Sequence, residues 1–176
     1  MMSESQPAWL WPLPGVATAV PIEGSGKFGA VRKHDIHTGV DLYCTEGQPV
    51  QAVEAGTVVA ILPFTGPKAD SFWWRDTRAV MVEGVEHVVL YGEIVEAPGL
   101  ALGATVRAGD VVGEVVRVLR QDRGSPTTML HLELYALGIR EPVWWRLGES
   151  QPPALLDPTE RLLLAGQRLW QSTSES

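Results

Sequence analysis

The chain has 176 residues, 45% of them hydrophobic, with a formal net charge of -7 and a pI near 5.1. That length suits one ordinary domain, able to bury roughly two-thirds of the surface its unfolded form would expose. The acidic balance argues against a nucleic-acid partner or a surface that lies on anionic lipid, no window approaches the ~18 apolar residues of a membrane span, and one cysteine, Cys44, excludes an internal disulfide.

In chain order, residues 1–21 read as an N-terminal segment, residues 22–150 as a β domain, and residues 151–176 as a C-terminal helix and tail packed on that domain. The first twenty residues carry Glu4 before any Lys or Arg and are broken by Pro7, Pro12 and Pro14. A secretory signal needs a positive start and an unbroken apolar stretch, so a cytoplasmic chain is expected, although an exported chain already freed of its leader would look the same.

From Ile22 onward, short runs of Val, Ile and Leu end at Gly, Pro or Asp, as β-rich domains are written. The run from His37 to Cys44 sets His37, Gly39, Asp41 and Tyr43 on one face and Thr38, Val40, Leu42 and Cys44 on the other. Next comes Gly47-Gln48-Pro49-Val50-Gln51-Ala52, whose Gly-x-x-Val-x-Ala pattern returns at Gly103-Ala104-Thr105-Val106-Arg107-Ala108. Each copy is followed by a glycine and a valine pair, so two similar β units are expected. Between them, a loop from Pro63 to Thr77 carries Trp73-Trp74, and the strand Val88 to Val95 alternates Val89, Tyr91 and Glu93 against Val88, Leu90, Gly92 and Ile94. Met129 to Tyr135 then sets Met129, His131, Glu133 and Tyr135 opposite Leu130, Leu132 and Leu134. A second tryptophan pair follows at Trp144-Trp145; such pairs serve core or lid packing, or line a cleft. Asp157-Pro158-Thr159-Glu160 supplies an N-cap, a first-turn proline and a first-turn acid for a helix through Gln171.

His37 and Asp41 are four residues apart, ~13 Å in a straight strand, whereas two ligands of one zinc ion each lie ~2.0 to 2.2 Å from it. A metal shared by them requires a bend, and Gly39 is the residue that tolerates one. His131, on the polar face of a strand backed by leucines, completes a set of two imidazoles and one carboxylate, which leaves a fourth zinc position open for water.

The run Lys27-Phe28-Gly29-Ala30-Val31-Arg32, then His37-Thr38-Gly39-Val40-Asp41, Gly47 to Ala52 and Gly56-Thr57-Val58 resembles the first half of a lysostaphin-type (LytM-like) zinc metallopeptidase domain. Tyr91-Gly92-Glu93, Val106 to Gly113, Leu130-His131-Leu132-Glu133 and Leu156-Asp157-Pro158-Thr159 continue the match, which covers Ile22 to Leu164. The resemblance implies a mainly β fold, a duplicated hybrid motif (barrel-sandwich) of antiparallel strands with a C-terminal helix. It also implies one zinc ion held by His37, Asp41 and His131, and zinc-bound water that cuts peptide bonds in the cross-links of cell-wall peptidoglycan.

Two positions depart from the family pattern. Met129 stands for the first histidine of His-x-His, and Glu93 for the histidine two residues after the family's tyrosine. A thioether moves no proton; a carboxylate can serve as general base beside a metal. The expected catalytic residues are therefore Glu93 as base and Tyr91 as a hydrogen-bond donor to the substrate oxyanion. The alternative is a degenerate zinc-containing module that binds a peptide or protein partner. His34 reads as a solvated loop residue and His87 as too far along its strand to join the site. Gly-x-x-Val-x-Ala units also resemble biotinyl and lipoyl carriers, but none of Lys27, Lys33 and Lys68 sits in the hairpin such carriers need.

Overall fold

The computed structural model describes residues 8–72, 74–120 and 127–174. Among them are nine strands: β1 (Val40–Tyr43), β2 (Pro49–Gln51), β3 (Gly56–Thr65), β4 (Thr77–Glu83), β5 (His87–Glu96), β6 (Thr105–Val106), β7 (Val111–Val115), β8 (Met129–Ala136) and β9 (Leu155–Leu156), followed by helix α1 (Thr159–Ser174). Every pairing is antiparallel, in the order β1-β8-β5-β4-β3-β6, with β9 beside β8 and β2 beside β7. No described helix is long and apolar enough to cross a membrane.

The alternation read from the sequence decides which side chains go inside. Val40 and Leu42 of β1, and Leu130, Leu132 and Leu134 of β8, enter one core with Val89 and Tyr91 of β5. Val88, Leu90 and Tyr135 point the other way, into a second core with Ala79 and Met81. The sheet is thus covered on both faces. Because Leu132 is fully enclosed, Leu132→Ala should destabilise the fold by about 2–5 kcal/mol, read as a lower urea midpoint with an unchanged m-value.

The repeat appears as an exchange of strands between the two copies. Gly47 N–H donates to Val115 O at 2.8 Å and Val115 N–H to Gln48 O at 2.9 Å; Gly103 N–H donates to Val58 O at 2.8 Å and Val58 N–H to Ala104 O at 2.9 Å. Each copy therefore pairs with the strand that follows the other. Gly47 and Gly103 both have φ of +85°, the left-handed backbone that the pattern's glycine accommodates.

The N-terminal segment is part of the packing, so a boundary at residue 21 does not divide it. Trp9, Trp11 and Leu13 are buried in the first core with Leu162 and Ala165 of α1. Leu10 N–H donates to Val53 O at 2.8 Å, and Gln51 N–H to Pro12 O at 2.9 Å. Asp157 caps α1 as read from the sequence, its Oδ1 accepting from Thr159 N–H at 2.9 Å.

β5 is the element that positions the site. It pairs with β8 as far as Gly92, which faces His131, and with β7 from Ile94. Glu93 lies at this fork. On its other edge β4 pairs Ala79 with Gly92 and Arg78 with Ile94, leaving Glu93 as the extra residue of a β-bulge with φ of +62°.

Candidate metal centre

His37 lies just before β1, not within it. Residues 29–37 form a small hairpin, with Val31 bridged to Ile36, Gly29 N–H donating to His37 O and His37 N–H to Ala30 O, each at 2.9 Å. The chain bends at Gly39 and enters β1 at Val40, where Asp41 faces His131 across the β1–β8 pair. The bend brings Thr38 to the site as well, contrary to the straight-strand face assignment: its Oγ1 donates to Glu133 Oε1 at 2.5 Å.

Gly39 has no positive φ. What it supplies is clearance, since a Cβ there would lie 2.4 Å from Leu132 O and 3.0 Å from His131 Cε1. Gly39→Ala should therefore cost about 1–3 kcal/mol by overpacking. Because the added Cβ also presses on the ring of His131, a candidate ligand, thermal melts should show a smaller gain from added divalent metal in this variant than in the wild type.

His37 Nε2, Asp41 Oδ1 and His131 Nδ1 converge in a buried group. Their separations are 3.1 Å (His37–Asp41), 3.2 Å (His37–His131) and 2.9 Å (His131–Asp41). Ligands ~2.0 to 2.2 Å from one ion at near-tetrahedral angles lie about 3.4 Å apart, a few tenths of an ångström wider.

The outer hydrogen bonds test whether this set suits a cation. His37 Nδ1 lies 2.8 Å from the Lys27 carbonyl, and His131 Nε2 lies 2.8 Å from Glu133 Oε1. Both partners only accept, so both outer nitrogens carry hydrogen and the neutral rings turn lone pairs inward. Asp41 Oδ2 is held by Arg32 Nη2 at 3.0 Å, which leaves Oδ1 for the centre. Three acceptors facing one another require a positive charge among them. Without a metal a proton fills that need: burial opposes the charged His131 ring, but its bonds to Asp41 and Glu133 prevail and push its pKa up to about 10. For Asp41, burial acts upward but is outweighed by hydrogen bonds to His131 and His37, which hold its carboxyl far below the usual range. The residues fit a metal ion.

Glu93 lines the same cleft as His37 and His131. It arrives there through the bulge, not through the strand alternation that grouped it with Tyr91. Its Oε2 is enclosed and has no hydrogen-bond partner among the described residues. Burial, then the charge of Asp41, push the Glu93 carboxyl up to about 8. Tyr91 does not join it: the ring is fully buried on the opposite face, and its hydroxyl accepts from Val53 N–H at 2.9 Å. The assistance expected of Tyr91 is therefore unavailable, because the residue before the bulge still obeys the alternation that the bulge breaks.

The cleft measures about 750 Å³ and is walled by Trp74, Trp144 and Trp145, with Phe64 over the His131 ring at 5.4 Å. Trp73 lies outside the described residues. Trp144 is 75% exposed, so the second pair serves as cleft wall; Trp145 is braced by Phe28 at 5.6 Å. His34 and His87 do not line the cleft. Arg32, Thr38 and Phe64 were not singled out as site residues from sequence, since only the bend and the strand pairing bring them in. Glu133 carried a signal, two residues from His131 on one strand face.

Among curated proteins none matches the chain in sequence. Solved structures similar to it include cbpa from L. salivarius REN (22% identity, TM-score 0.57, 89% of this chain and 94% of that one). LytU is also similar, with 18% identity and a TM-score of 0.53 over 86% of this chain and 90% of that one. The catalytic domain of the antimicrobial peptidase lysostaphin from Staphylococcus simulans has 17% identity and a TM-score of 0.51, over 83% and 92%. At such identities the likeness concerns the fold alone. The model of Peptidase family M23 matches residues 35–142, a span that holds all three converging side chains and Glu93, and the chain belongs to that family.

Proposed function

We propose that this chain is a zinc metalloendopeptidase that cleaves peptides of the cell-wall peptidoglycan class, with Glu93 as general base. The observation that carries the reading is the convergence of His37 Nε2, Asp41 Oδ1 and His131 Nδ1 in a cleft that also holds the Glu93 carboxylate, whose buried Oε2 has no hydrogen-bond partner among the described residues. A bound zinc ion supplies polarisation of the scissile carbonyl and a water that ionises near neutral pH. The chain's residues do the rest. Lys27 O and Glu133 orient the two imidazoles, and Arg32 orients Asp41. The tryptophan-walled cleft receives the extended peptide and excludes water from around the reacting bond. Glu93 takes the proton of the attacking water at its carboxylate and passes it to the leaving amine.

A second reading, a metal-containing module that binds a peptide or protein without hydrolysis, draws support from Met129 and Glu93, which stand where the resemblance places histidines. Loss of one electrostatic donor costs ~2.7 to 4 kcal/mol of barrier, so slow turnover is expected in place of none. The test is zinc content of the purified protein together with release of new amino termini from purified peptidoglycan and from glycine-rich peptides. Zinc with cleavage supports the peptidase; zinc without cleavage supports the module; no zinc sinks both.

A further inference from the structure

Glu133 is a buried carboxylate, 2% exposed, that is neither one of the three converging ligands nor the proposed base. Its hydrogen bonds run in three directions. Oε1 accepts from His131 Nε2–H at 2.8 Å and from Thr38 Oγ1 at 2.5 Å, and Oε2 accepts from the Tyr135 hydroxyl. That hydroxyl in turn accepts from Val143 N–H at 3.1 Å. Thr38 and Val143 both line the cleft, from two segments that lie side by side, Ile36 N–H donating to Trp145 O at 2.9 Å. His131, Glu133 and Tyr135 share one face of β8, so a rigid strand holds the chain of contacts in line.

We propose that Glu133 is a positioning residue that fixes His131 with Nδ1 as its ligand atom and, through Thr38 and through Tyr135 with Val143, ties that ligand to two separate chain segments that line the cleft. The proposal rests on the metal reading above but not on hydrolysis. Its physical basis is that a ligating imidazole anchored through its distal N–H to a carboxylate is held in one orientation and made a stronger donor. Both acceptor oxygens of Glu133 are in use, so the carboxylate cannot turn without breaking its contact to Thr38 or to Tyr135. Metal affinity and the placement of these two segments should therefore move together.

The experiment compares zinc affinity, by competition with a chromophoric chelator, and the visible absorption of the cobalt-substituted protein, across the wild type, Glu133→Gln, Tyr135→Phe and Val112→Ala. Val112 is fully buried on β7 in the other core and makes none of these hydrogen bonds, so its variant reports a purely structural loss. Glu133→Gln should weaken zinc by roughly 10- to 100-fold and shift the cobalt spectrum. Tyr135→Phe should weaken zinc several-fold, and Val112→Ala should lower thermal stability with affinity and spectrum unchanged. Wild-type affinity and spectrum in a folded Glu133→Gln overturn the proposal while the metal reading stands. Should Glu133→Gln fail to fold, Tyr135→Phe and Thr38→Val decide: weakened zinc in both supports the coupling, and wild-type affinity in either overturns it. A wild type that takes up no zinc overturns the metal reading itself, and the proposal with it.

Discussion

Glu93→Gln should lower kcat/KM for peptide hydrolysis by about 10²- to 10⁴-fold while leaving zinc content unchanged. Glutamine keeps the size of the side chain at the fork but cannot take a proton, and Glu93 contributes none of the three converging ligand atoms. The same substitution has a second signature in the metal-free protein. The folded-state pKa of Glu93 is raised from 4.5 to about 8. Between those values the folded chain keeps a proton that the unfolded chain has released, so wild-type stability falls as pH rises through the window. Glu93→Gln removes the liability: its stability should match the wild type near pH 4 and exceed it by a growing margin as pH rises toward 8. A nearby cation favours the ionised carboxylate, so zinc should erase most of this difference. The φ of +62° adds backbone strain of about 1–3 kcal/mol. Glu93→Gly should thus be more stable than the wild type and yet inactive. Hydrolysis undiminished in Glu93→Gln would remove Glu93 from the chemistry.

Asp41→Ala should abolish zinc binding at micromolar metal, a loss larger than the roughly 100-fold that an outer-partner substitution costs. The reason is charge as well as coordination, because Asp41 is the one anionic member of the three converging residues. Zinc at 1,000 times its dissociation constant stabilises a folded protein by about 4.1 kcal/mol. The wild type should accordingly melt higher with zinc than with chelator, and the two Asp41→Ala curves should coincide. Some stability is lost even without metal. Asp41 has a depressed folded-state pKa, so its contribution is present above its unfolded value of 3.8 and disappears as pH falls through the folded value. The variant should therefore be less stable than the wild type near neutral pH and should approach it in strong acid. A zinc-dependent shift in melting that survives Asp41→Ala would mean that the metal binds elsewhere.

The candidate site was legible in part because its ligands differ in kind from their neighbours. His131 and Glu133 interrupt a face backed by Leu130, Leu132 and Leu134, and all three leucines are buried on the opposite side as the alternation requires. His37 and Asp41 demanded a bend at Gly39, and the chain bends there; the demand for a glycine, however, comes from the carbonyl of Leu132 on another strand. Glu93 and Tyr91 were placed on one face by counting in twos, and the structure separates them. The count fails at a bulge that exists because β5 changes partner from β8 to β7.

The two faces of β8, the types of the candidate ligands, the duplicated glycine-valine units and the capped terminal helix follow from the order of residues alone, because side-chain alternation and capping act over a few neighbours. The convergence of His37, Asp41 and His131, the fork that turns Glu93 into the cleft, and the reach of Glu133 to Thr38 and Tyr135 belong to the tertiary structure. They depend on which strands lie side by side and in what register, and that is settled by packing between segments distant in sequence.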